Sequence, residues 1–108
     1  MIKKIYNIDE IRKKLEVIFK NTLVKKAILF GSYANNCATS NSDIDLVIDT
    51  NNKIDALDFY NLLGCIIDNF KKEIDLIEIM EIIPNSKVDK EIKEKGVVVY
   101  ESKEQISA

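Results

Sequence analysis

Apolar residues first recur along the chain every three to four positions, at Ile8, Ile11, Leu15, Ile18 and Phe19. That is the period of an amphipathic helix. Asn7 and Glu10 stand where a capping box would close its first turn, and Asn21 and Thr22 follow its end. Lys26 to Phe30 then reads as a short buried strand stopped by Gly31. From Asp43 to Asp49 the period drops to two, with Ile44, Leu46 and Ile48 on one face and Asp43, Asp45, Val47 and Asp49 on the other. A second long helix is predicted over 55–70, with Leu57, Tyr60, Leu63, Ile67 and Phe70 on its inward side despite Gly64. Alternation returns from Glu73 to Ile79. Pro84-Asn85-Ser86 opens a charged last helix ended by Gly96, and Val97 to Tyr100 makes a brief final strand. Residues 101–108 read as a frayed tail.

Composition narrows the function classes. A chain of 108 residues with 46% hydrophobic content suits one domain spanning 1–108, long enough to bury a core without staples. Sixteen basic residues against 18 acidic ones leave a net charge of −2, so the chain as a whole does not attract nucleic acid, and the lysine pairs at 3–4, 13–14, 25–26 and 71–72 read as solvated helix ends and faces. Cys37 and Cys65 lie far apart, match no metal-ligand spacing and have no histidine to help them. They read as free thiols. With no apolar stretch long enough for a signal or membrane segment, the expectation is a cytoplasmic protein without a membrane role.

Candidate chemistry begins at Asp43. Side chains two apart on a strand point the same way, so Asp43 and Asp45 are expected to hold their carboxylates about 6 to 7 Å apart. At an effective dielectric of ~20 their repulsion is about 2 to 3 kcal/mol, a large cost in a small domain unless a cation relieves it. An exposed strand end with ordinary surface acids is the alternative. Asp75, near the start of its own strand, changes the balance: the intervening helix allows the two strands to run parallel, which would bring three acids to one place. An oxygen-only set without histidine or cysteine suits magnesium, which often shares its shell with substrate phosphates. Gly31-Ser32 is placed to hold such phosphates, through close backbone approach and the Ser32 hydroxyl, with a short helix through Ala34 as a further source of amides. For that corner to meet the aspartates, the first two strands must be antiparallel, giving a mixed sheet. Tyr33 reads as an exposed loop aromatic, and Ser42 as a partner of the first aspartate. Asp49, about 13 Å along the strand from Asp43, stays outside the site.

Phe30-Gly31-Ser32, ten residues, then Asp43-Ile44-Asp45-Leu46 resembles the nucleotidyltransferase superfamily of DNA polymerase beta, and within it the minimal nucleotidyltransferases called MNT proteins. The leading helix, the strand with Asp75 and the closing Lys95-Gly96-Val97 to Tyr100 are similar too. The resemblance implies an α/β fold (α+β by some schemes), in the order αβαβαβα, with a small mixed sheet packed by helices and a short last strand. It also implies that Gly31 and Ser32 bind the nucleotide, and that Asp43, Asp45 and Asp75 hold two Mg2+ ions and carry catalysis. Family members of this kind act as antitoxins beside a helical HEPN toxin, some by transferring AMP from ATP to a tyrosine of that partner. The other readings are a catalytically quiet subunit that neutralises a HEPN partner by binding, and an aminoglycoside-like adenylyltransferase acting on small molecules. One departure stands out. Many members read Ala-Arg-Gly after the Gly-Ser corner, where this chain has Ala34-Asn35-Asn36. The change removes a bidentate charged contact to triphosphate, leaving Lys25, Lys26 or a partner's arginine to replace it.

Overall fold

The Asn7 side chain accepts the Glu10 amide at 2.8 Å, and Glu10 returns an oxygen to the Asn7 amide at 2.9 Å. This reciprocal cap starts α1, Ile8–Phe19, whose Ile11, Leu15 and Phe19 are fully buried. The structure, a computed structural model, describes residues 4–103. After α1 come β1 (Lys26–Phe30), β2 (Ile44–Asp49), α2 (Ala56–Phe70), β3 (Ile74–Glu78), a 3-10 turn at Ile79–Glu81, α3 (Lys87–Lys95) and β4 (Val97–Glu101).

The strands form one four-stranded sheet in the order β3-β2-β1-β4. β1 runs antiparallel to both β2 and β4, while β2 and β3 run parallel, which makes the sheet mixed. Strand alternation divides its side chains between two layers. Ala27, Leu29, Ile44, Leu46, Ile48, Leu76 and Val99 join the helix residues Ile11, Leu15, Phe19, Ile66 and Phe70 in the main core. The opposite face carries Ile28, Val47 and Asp45. There α3 lies close enough that a Cβ on Gly96 would come within 2.8 Å of Ile28 Cγ2.

Three expectations need correction. The element order is not αβαβαβα, because no helix separates β1 from β2: residues 31–36 form turns, ended by Asn36 at φ 58, and the described chain closes on a strand. The inward face of α2 is also different. Leu57 and Tyr60 are exposed, while Ile66 is buried and Phe59 and Leu62 pack on the core. This helix is apolar around most of its circumference, so periodicity alone could not fix which stripe faces the sheet. Finally, Glu101 is not frayed: it pairs with Lys26, and the Ser102 amide donates to the Lys25 carbonyl at 2.8 Å. The remainder of the expected tail, 104–108, lies outside the described residues.

Asparagine fills most tight turns. Asn21, Asn36, Asn51, Asn52 and Asn85 all adopt positive φ, and Gly31 is the one glycine that does so.

Candidate active site

Antiparallel pairing sets Phe30 opposite Asp45, so the residue after β1 arrives beside that aspartate. Gly31 turns there at φ +74, and a Cβ at this position would overlap the Asp45 carboxylate. Both the dihedral and the space require glycine. On the other side of β2, parallel pairing sets Asp75 directly across from Asp45. The crossing helix α2 makes this register possible by returning the chain to the same end of the sheet. Asp43 sits just ahead of β2 and is exposed, one residue short of the strand start expected for it.

The electrostatics reflect this crowding. Burial pushes the Asp45 carboxyl up to about 6, and the negative charges of Asp75, Asp43 and Glu91 add to it, with Asp75 also within hydrogen-bonding reach. Glu91 was not singled out from the sequence. It projects from α3 and accepts the Gly31 amide on Oε2 at 2.9 Å. Its signal was faint: one more acid in a charged helix, marked only by that helix leading into a strand that pairs with β1.

Among the described residues, no group of three or more histidine, cysteine, aspartate or glutamate side chains is placed to hold a metal ion, so the expected three-acid cage is not assembled. What the fold supplies is an open set of carboxylate oxygens: Asp45 facing Asp75, with Asp43 near enough to raise the Asp45 pKa. That donor chemistry fits a hard divalent cation whose remaining positions go to water and phosphate.

The loop between Gly31 and Asp43 is braced from within. The Gly31 carbonyl accepts the Ala34 and Asn35 amides, each at 3.1 Å, and the Ser32 carbonyl accepts the Cys37 amide at 2.9 Å. The Ser32 hydroxyl and amide make no hydrogen bond among the described residues. Ser42 Oγ accepts the Thr39 amide at 2.9 Å, so it ties the loop together and does not cap Asp43. Two residues read as solvent-facing are inside. Tyr33 is 4% exposed and belongs to the core, and Lys72 is 4% exposed with Nζ donating to the Ser40 carbonyl at 3.0 Å. The lysines expected to stand in for an arginine are elsewhere: Lys26 pairs with Asp49 and Glu101 at the far end of β1, and Lys25 precedes it.

Residues 13–105 match the family profile described as Polymerase beta, Nucleotidyltransferase. The chain belongs to that nucleotidyltransferase family. It is a nucleotidyltransferase-like enzyme with a mixed α/β fold. Two proteins of Methanocaldococcus jannaschii that bear the name protein adenylyltransferase are similar to it. MJ0128 is 34% identical over 84% of this chain and 92% of its own length, and MJ0126 is 36% identical over 91% and 100%. Among solved structures, a toxin-antitoxin crystal structure with AMP-PNP has a similar fold, with TM-score 0.69 and 19% identity over 85% of this chain and 74% of that one. So has the complex of a tri-AMPylated Shewanella oneidensis HEPN toxin with an MNT antitoxin, at TM-score 0.64 and 16% identity over 88% and 73%. Within this nucleotidyltransferase fold, Asn36 at φ 58 lies in the left-handed region, which asparagine tolerates. Asn35, exposed beside it, brings no positive charge.

Proposed function

We propose that this chain is a metal-dependent protein adenylyltransferase that transfers AMP from ATP to a tyrosine hydroxyl of a HEPN toxin partner in the cytoplasm, acting as its antitoxin. The observation that supports this best is the register of β2 and β3, which sets Asp45 across from Asp75 while Gly31 packs against the Asp45 carboxylate. The names borne by the relatives and the complexes found among similar folds favour this acceptor and partner over a small molecule.

Asp43, Asp45 and Asp75 would hold Mg2+, which when bound offsets the charge of the triphosphate and of the departing pyrophosphate. Ser32 offers its free hydroxyl and amide to the phosphates. Asp75, the most exposed of the facing pair, accepts a hydrogen bond from the incoming tyrosine hydroxyl and aligns it. As the new oxygen–phosphorus bond forms at the α-phosphorus, the bond to the bridging oxygen breaks and pyrophosphate leaves. The hydroxyl proton passes to the Asp75 carboxylate and then to water. Nothing covalent is asked of the protein.

A second reading has an observation of its own. Asn35 supplies no charge to a triphosphate, and Leu57, Tyr60, Met80 and Ile83 leave apolar surface exposed, as a pure binding subunit would. One experiment separates the two. The protein is incubated with magnesium, labelled ATP and a co-encoded HEPN protein, alongside the Asp43→Asn, Asp45→Asn double variant. Label on the partner that disappears in the variant supports transfer. Absence of label together with neutralisation by both forms overturns transfer in favour of binding.

A further inference from the structure

We propose that Glu91 is a positioning residue of the nucleotide site: its carboxylate anchors the Gly31 amide to α3, so that Ser32 and not Gly31 is left to meet the phosphates. This rests on the nucleotide-binding part of the reading above.

The argument starts from which polar groups of the corner are already used. The Gly31 carbonyl is occupied by the Ala34 and Asn35 amides and the Ser32 carbonyl by Cys37. The Gly31 amide is occupied by Glu91 Oε2 at 2.9 Å, a bond that joins positions 60 residues apart. The Ser32 amide and hydroxyl remain open among the described residues. An incoming phosphate can therefore use Ser32 at once, whereas taking the Gly31 amide would require displacing a carboxylate.

Sterics point the same way. Gly31 lies between two acids, with its Cα against the Asp45 carboxylate and its N–H on Glu91. A residue at positive φ without a side chain has few other restraints, and without the anchor it could swing and carry Ser32 with it. The cost of the anchor is also visible, because Glu91 adds its negative charge to those of Asp75 and Asp43 already acting on Asp45. A charge retained at an electrostatically unfavourable place suggests a task that only a long acceptor on α3 performs. That task is shape. An uncharged acceptor of the same length should perform it equally well, and a shorter one should not.

Three variants test this. Glu91→Gln keeps both the length and an acceptor oxygen, Glu91→Asp keeps the charge but withdraws it by one methylene, and Glu91→Ala removes both. In the nucleotide-free protein, exchange of the Gly31 amide should speed up about 10-fold in Glu91→Ala and Glu91→Asp and stay near wild type in Glu91→Gln. Affinity for a non-hydrolysable ATP analogue with magnesium should fall about 5- to 10-fold in the first two and hold in the third, with KM rising more than kcat falls. On titration with the analogue, the Ser32 amide resonance should move more than that of Gly31. Should Glu91→Ala misfold, Glu91→Asp against Glu91→Gln still decides. Tighter binding in Glu91→Ala or Glu91→Asp would mean that Glu91 competes with phosphate, and exchange unchanged in both would mean that it anchors nothing; either overturns the proposal. A wild-type protein that binds the analogue but labels no partner overturns the transferase reading alone, since the Glu91 comparison needs only binding.

Discussion

Replacing Asp45 with asparagine should make the metal-free protein more stable while ending its chemistry. The Asp45 carboxyl is pushed from 3.8 up to about 6, first by burial and then by Asp75, Asp43 and Glu91. Below the lower value both folded and unfolded chains hold the proton, and the group contributes nothing to pH dependence. Between the two values the unfolded chain releases it while the folded chain keeps it, so stability falls as pH rises through that window. Above about 6 the penalty is complete. At about 1.4 kcal/mol per pKa unit the full difference is about 3 kcal/mol. Asp45 keeps contact with solvent, and screening lowers this to about 1 to 2 kcal/mol. Asparagine is close in shape and carries no charge, so it removes the penalty without opening a cavity. Urea unfolding of both proteins in the presence of a chelator should show the variant ahead by that amount at pH 7.5, with the gain shrinking towards zero at pH 4. A variant no more stable than wild type at pH 7.5 would refute the reasoning, as would a gain of the same size at both pH values.

Magnesium should raise the melting temperature of the wild-type protein at pH 7.5 and leave Asp45→Asn nearly unmoved; equal shifts in both would place the ion elsewhere. Gly31→Ala should cost at least about 2 kcal/mol in urea unfolding, because the left-handed dihedral alone costs a residue with a Cβ about 1 to 2 kcal/mol and the methyl must also displace the Asp45 carboxylate. A loss below about 0.5 kcal/mol would show that the corner can open freely. Lys72→Met keeps the apolar stem but strips the Ser40 carbonyl of its donor, for a cost of about 1 kcal/mol. Amide exchange should quicken across 39–43 while that of β1 stays unchanged, and uniform behaviour in the two segments would deny Lys72 its hold on the loop.

Much of this arrangement could be read from the sequence because its signals are local. A cap declares itself within four residues, as Asn7 and Glu10 do. The mixed sheet followed from a geometric demand, that the glycine end of β1 reach the aspartate start of β2. What escaped notice depends on partners distant in the chain. Tyr33 looked like a loop residue because loops are usually solvated, yet its ring is buried in the same core cluster as Ile11 and Leu15. Lys72 looked solvated for the same reason, and its partner lies 32 positions away. On α2, Leu57 and Tyr60 fit the helical period as inward residues, but the sheet takes Phe59 and Leu62 instead. Glu91 carried only a faint mark, since its contact is with an amide on another element.

The in-register meeting of Asp45 and Asp75 also guards the assembly of the sheet. If β3 docked one rung out of place, its alternation would invert: Asp75 would be thrust among the leucines and isoleucines of the helix-covered layer, and Leu76 would be turned out to water. The acidic side chain at this position thus makes a one-residue slip self-defeating, so the pairing of Asp45 with Asp75 is itself a mark of correctly aligned strands.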